Sequence, residues 1–204
     1  MAEEPSPGYP VNIQGTLDEP ISRWLFLVKL LLIIPHLIVL VFLWIGFIVV
    51  SVIAFFAILF TAKYPRGLFD FNVGVLRWSW RVGFYSYNAL GTDRYPPFSL
   101  ASKDYPADLS VEYPERLSRG LVLIKWWLLA IPHYIIVGIF QGGSGKLGGL
   151  VGILVLIAAV VNLFRGKYPR DIFDLVMGIN RWTFRVAAYA SLMTDEYPPF
   201  RLRE

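Results

Sequence analysis

Cysteine is missing from all 204 residues of the chain. That excludes disulfides, iron–sulfur clusters, thiolate zinc sites and cysteine nucleophiles together. Charge is scarce too, with Asp, Glu, Lys and Arg at 17%. Histidine occurs only at His36 and His133. Met1 to Pro10 lacks the positive stretch of a cleaved signal peptide and carries Glu3 and Glu4 instead. The first hydrophobic helix is therefore expected to act as an uncleaved anchor, behind a disordered tail over residues 1–8. No Ser/His/Asp set, paired-carboxylate site or phosphate-binding loop is evident. The run Gly142-Gly143-Ser144-Gly145-Lys146 lacks the spacing of a phosphate loop and reads as an external turn.

What is present is apolar. Hydrophobic residues make up 56% and mean hydropathy is +0.54, well above a soluble domain. The net charge is +4. The basic residues flank long apolar runs, which fits membrane headgroups better than nucleic acid.

The chain also repeats itself. Tyr9-Pro10 returns as Tyr105-Pro106, Lys29 as Lys125, and Pro35-His36 as Pro132-His133. Lys63-Tyr64-Pro65-Arg66 returns as Lys167-Tyr168-Pro169-Arg170, and Phe69-Asp70 as Phe173-Asp174. Arg77-Trp78, Arg81-Val82 and Thr92-Asp93 match Arg181-Trp182, Arg185-Val186 and Thr194-Asp195. Tyr95-Pro96-Pro97-Phe98 closes copy one and Tyr197-Pro198-Pro199-Phe200 closes copy two. The units are residues 9–104 and 105–204.

Each unit opens with a weak strand signal, Val11 to Thr16 or Leu109 to Tyr113. In copy one an apolar block then runs from Trp24 to Ala62 with one charge, Lys29. That is too long for one span of roughly 20 residues. Copy two suggests the division: Gly120 to Phe140, a Gly-rich turn at Gln141 to Gly149, then Leu150 to Phe164. The matching copy-one turn is expected at Trp44 to Phe47, around Gly46.

A third helix is expected over Gly67 to Leu90 and Asp171 to Met193. At 100° per residue, Asp70, Arg77, Arg81 and Asn88 fall within roughly 40° of one another. Asp174, Arg181 and Arg185 do the same. Two mid-helix arginines would each cost on the order of 2.5–3.5 kcal/mol in a spanning helix, so these helices are expected at the interface. The fold class is thus an all-α membrane protein. It has four transmembrane helices in two hairpins, two interfacial amphipathic helices and short cytoplasmic extended segments that could pair into a small sheet. Lys146 is then the single external basic residue and both termini are cytoplasmic.

Several polar residues are candidates for a site. His36 and His133 lie inside apolar runs. Intramembrane ionisable groups are functional candidates by default; the pair could hold a metal or haem iron or relay protons. The plainer reading is that an imidazole N–H satisfies the carbonyl that proline frees near Leu31 or Leu128. Arg77, Arg81, Arg181 and Arg185, with Lys63 and Lys167 nearby, could bind anionic lipid headgroups or a partner. Alternatively Asp70 with Arg77, and Asp174 with Arg181, could be ion pairs that dock the helix, bridged through a third group. Lys29 and Lys125 are expected to snorkel to the inner interface.

The runs Tyr64-Pro65-Arg66-Gly67-Leu68-Phe69-Asp70, Arg77-Trp78-Ser79-Trp80-Arg81-Val82 and Thr92-Asp93-Arg94-Tyr95-Pro96-Pro97-Phe98 resemble the signature of the bacterial domain-of-unknown-function family 4389. Copy two departs with Asp171 after its arginine and Phe184 for the second tryptophan. The resemblance implies a multi-pass protein of the bacterial cytoplasmic membrane and no activity. The expectation is a non-enzymatic accessory or scaffold module, lipid-binding in one version, whose partners are the bilayer and other membrane proteins or a second copy, not nucleic acid. No cofactor is predicted. A small transporter or channel between the units, and a haem or metal protein using His36 and His133, are the alternatives.

Overall fold

The structure is a computed structural model that describes residues 8–142 and 149–202. The expected tail over residues 1–8 and the Lys146 turn fall almost wholly outside the described residues.

Strand β1 (Val11–Gly15) opens unit one. Helices α1 (Phe26–Leu32), α2 (Ile34–Thr61) and α3 (Arg66–Tyr85) follow. Unit two has β2 (Ala107–Val111) and α4 (Leu121–Ile124), which continues as a π-helical turn over Lys125–Leu129. Then come α5 (Ile131–Gln141), α6 (Leu150–Arg165) and α7 (Arg170–Ala190).

The expected copy-one hairpin is not there. Gly46 sits inside one unbroken helix, α2. Glycine costs a helix only about 1 kcal/mol, and the Phe71 ring closes against Gly46 at 3.1 Å from where a Cβ would be. Matching residues are offset by 97 positions from Pro35 and Pro132 to Trp44 and Gln141, and by 104 at Lys63 and Lys167. Copy two therefore carries seven extra residues between those points, and its Gly-rich segment is an insertion, not a shared turn. Contacts agree on both sides of it: His36 meets Trp78 as His133 meets Trp182, and Trp44 meets Ser79 as Gln141 meets Thr183. Helices α5 and α6 together hold the place of α2.

Four membrane-crossing helices are thus replaced by fewer candidates. Among the described residues, Ile34–Thr61 alone is long and apolar enough to cross a bilayer. A second exists only if Leu121–Leu129 and Ile131–Gln141, bent by 42°, count as one span.

The hairpin that does form joins α2 to α3. Tyr-Pro ends each apolar rod. Ala62 turns left-handed at φ 57°, Gly166 does so at φ 70°, and Pro65 and Pro169 are extended at the next helix start. Helix α3 then runs back along α2, from Asn72 beside Ser51 to Trp78 beside His36.

The amphipathic helices are not peripheral. Phe69, Val75, Leu76, Trp80 and Phe84 of α3 are buried, as are Phe173, Val176, Ile179 and Val186 of α7. Where α3 and α7 meet, Trp80 stacks edge-on against Phe184 at 5.6 Å. These residues occupy matching positions, so the pseudo-twofold axis passes between them.

The sheet completes the layers. Strands β1 and β2 pair antiparallel, with Ile13 opposite Leu109. The closing pieces of the units take no part in it. Val11, Ile13, Ala107 and Leu109 face inward, while Asn12, Gln14 and Ser110 face out. Strand β2 of unit two packs on α3 of unit one, and β1 of unit one packs on α7 of unit two. Each unit thus covers the other's central helix. The order is sheet, then α3 and α7, then the apolar rods.

Candidate functional site

Each unit repeats one polar cluster, built where the first apolar helix breaks. Proline has no N–H to continue the helix, and the chain kinks at Ile33 and Ala130 with the same backbone angles, φ −82° and ψ −9°. The carbonyl left open is that of Leu32, and the Tyr95 hydroxyl donates to it at 2.9 Å. In unit two, Tyr197 donates to the Leu129 carbonyl at 3.2 Å. The donor at the break is therefore the tyrosine of Tyr-Pro-Pro-Phe, not the histidine expected from sequence.

The histidines have a different partner. Trp78 Nε1 donates to His36 Nδ1 at 3.0 Å, and Trp182 Nε1 donates to His133 Nδ1 at 3.0 Å. Indole can only donate, so both imidazoles are neutral with the proton on Nε2. Phe98 stacks on His36 at 3.8 Å and Phe200 on His133 at 4.4 Å. An imidazole that ligated iron or zinc through Nε2 would carry its proton on Nδ1, where it would meet the indole N–H donor to donor. The two histidines are enclosed each in its own unit. Among the described residues no group of three or more metal-ligating side chains gathers.

Lys29 and Lys125 do not snorkel. Both are buried, at 0% and 1% exposure. The Lys29 ammonium pairs with Asp93 at 2.8 Å, donates to the Thr92 carbonyl at 2.7 Å, and lies 4.7 Å from the Tyr85 ring centre. Lys125 pairs with Asp195 at 2.7 Å and donates to the Thr194 carbonyl at 2.9 Å. The aspartates also accept the backbone N–H of Ser22 and Ser118. A charge this far from water needs a charged partner and satisfied protons, and the repeated Thr-Asp supplies both. The clue in the sequence was that lysine and Thr-Asp recur together.

The arginine stripe lies under the sheet. Arg77 donates to the carbonyls of Leu109 at 2.7 Å and Leu100 at 3.0 Å, and pairs with Asp108 at 3.0 Å. Arg81, fully buried, donates to the Ala101 carbonyl at 2.5 Å. Arg181 reaches the Ile13 carbonyl at 3.5 Å and Arg185 the Arg201 carbonyl at 3.4 Å. The stripe ties each central helix to the other unit's strand and to its own closing segment. Asp70 pairs with Arg66 at 3.5 Å, not with Arg77, and Asp174 is exposed. Lys63 and Lys167 are exposed at the ends of the apolar rods.

Glycine lets the closing segments approach. A Cβ on Gly74 would stand 2.8 Å from the Leu100 side chain, and one on Gly178 would stand 2.9 Å from that of Leu202. Tyr9 and Tyr105 link the units to these segments by donating to the carbonyls of Glu196 and Arg94. Burial pushes both phenols above their usual range, so they remain donors.

The repeated lysine, histidine, arginine, Thr-Asp and Tyr-Pro-Pro-Phe residues now have positions in these clusters. The family model described as a domain of unknown function (DUF4389) matches residues 23–99 and again 122–201. The chain belongs to this family, as two tandem copies. Comparison with curated proteins and with solved structures gave no match. The matched segments run from the start of each apolar rod to the Tyr-Pro-Pro-Phe close, so the family unit is the rod, the central helix and its closing segment.

Proposed function

We propose that this protein is a non-enzymatic membrane module, an accessory or scaffold part of a larger assembly that works by contact with lipid and with other membrane proteins. The observation that carries this reading is the outer face of the rods. Phe42 and Phe60 are each 70% exposed, and Phe164 is 77% exposed. Leu31, Ile38, Ile45 and Ile153 lie open around them. Monomeric soluble proteins rarely expose contiguous apolar patches beyond a few hundred Å². Lys29, Lys125, Arg77 and Arg81, by contrast, turn their charges inward onto carbonyls and carboxylates of the fold. Trp80 and Phe184 fill the axis between the units, which favours a scaffold over a transport pathway there.

The test is fractionation followed by purification in gentle detergent, with mass spectrometry of what stays bound. The expected result is a chain that resists alkaline carbonate extraction and retains a stoichiometric protein partner. Release by carbonate counts against the membrane, and a bare monomer without lipid or partner counts against the scaffold role.

A further inference from the structure

The direction of the layers against the apolar face decides how such a module can sit in lipid. Helix α2 is about 42 Å long at 1.5 Å per residue, and α3 lies antiparallel along it. On its other side α3 holds the sheet, through Arg77 to the Leu109 carbonyl and Asp108. Arg77 lies eleven residues into α3, roughly 16 Å from its start.

If α2 crossed a hydrocarbon core of about 30 Å, Arg77 would stand near the middle of it. Strand β2 would be carried to that depth with it. Among the described residues the sheet has two strands, so each has one edge without a ladder partner there. Its outer face carries Asn12, Gln14 and Ser110, all exposed. Open sheet edges facing lipid do not occur within the hydrocarbon region, because no water is there to satisfy the backbone.

Laid in the plane, the same layers fit. In α2 the exposed Ile34, Ile38, Val41, Ile45, Ile48 and Val52 share one side, while buried His36, Leu40, Phe47, Ala54 and Ile58 share the opposite one. The pseudo-twofold axis is normal to the sheet, so the rod of unit two presents its open side in the same direction. Exposed Arg23, Lys63, Arg116, Arg119, Arg165 and Lys167 sit at the rod ends, around the apolar face. Basic side chains in that position complement anionic headgroups.

We propose that the rods lie flat in one leaflet of an anionic bilayer, apolar side toward the acyl chains, with α3 and α7 above them and the sheet in water. This rests on the membrane reading above and names the partner surface as one leaflet. Both ends of α2 and the sheet then face the same aqueous side.

A chain without cysteine allows a clean test. Single substitutions Ile38→Cys, Ile45→Cys and Val52→Cys at exposed sites of α2 carry a spin label in the whole chain, reconstituted into phosphatidylglycerol–phosphatidylcholine vesicles. Collision with oxygen and with a water-soluble nickel chelate reports depth. Lys63→Cys, Arg23→Cys and Ser110→Cys are labelled with a membrane-impermeant maleimide from outside sealed vesicles. The expected result is one shallow depth for the three α2 labels within a few ångströms, with the three outer sites reacting together from one side. A profile deepest at Ile45, with Lys63 and Arg23 labelled from opposite sides, overturns the in-plane arrangement and leaves the membrane reading standing. Spin labels that stay open to the nickel chelate, as on a protein in water, overturn both.

Discussion

The two units solve one problem with different helices. Unit one builds its rod as the unbroken α2, and unit two as α5 and α6 on either side of an insertion. Before the rod, unit one has an ordinary α-helical turn at Lys29, while unit two has a π-helical turn at Lys125. Yet both lysines end on a Thr-Asp pair, and both histidines on a tryptophan. The polar pairings survive where the helix geometry changes. They fix the fold, and the helices adapt around them.

Breaking the buried ion pairs tests this most severely. Asp93→Asn keeps the shape but leaves the Lys29 charge buried, and Asp195→Asn does the same to Lys125. Each is expected to cost about 3–5 kcal/mol, measured by unfolding in detergent micelles. Losses that differ strongly between the units would mean that the π turn at Lys125 relieves strain the other unit must bear.

The histidine pairs come next. Trp78→Phe and Trp182→Phe each leave a buried Nδ1 without its donor, at about 1–3 kcal/mol. Adding His36→Phe to Trp78→Phe removes the unmet acceptor, and the pair is expected to recover about 1 kcal/mol in a double-mutant cycle. Strict additivity would contradict the bond.

A smaller contrast lies at the rod ends. Ala62 holds a left-handed backbone that Gly166 holds at ease. Ala62→Gly is expected to stabilise by about 1 kcal/mol and Gly166→Ala to destabilise by about as much. Equal and opposite shifts in the unfolding midpoint would check it.

The smallest change is expected from removing residues 143–149, which makes the rod of unit two match that of unit one in length. One continuous rod should result, with slightly higher helicity by circular dichroism. Stability is expected to stay within about 1 kcal/mol, since loop length acts slowly on closure entropy while Gly142 weakens the joined helix. Failure to fold would mean that the insertion is part of the unit.

Much of this was legible in the sequence. While the breaks before Pro-His fell inside runs read as single helices, the duplication, the apolar runs and the stops at Tyr-Pro follow from spacing, backbone restriction and hydropathy. So does the set of residues to watch, since lysine, histidine, arginine and Thr-Asp recur in both copies. What each of them touches did not follow. Lys29 meets a carbonyl 63 residues away and Lys125 one 69 residues away, and periodicity along one helix carries no information at that range. The copy-one hairpin was misread because an insertion in copy two looked like a shared turn. The central helices were expected at the interface because mid-helix arginines are costly in a span, and hydropathy records only that the rest of their surface avoids water. Whether lipid or protein covers that surface is decided in three dimensions. Here the strands exchanged between units cover α3 and α7, and the rods are left to face something else.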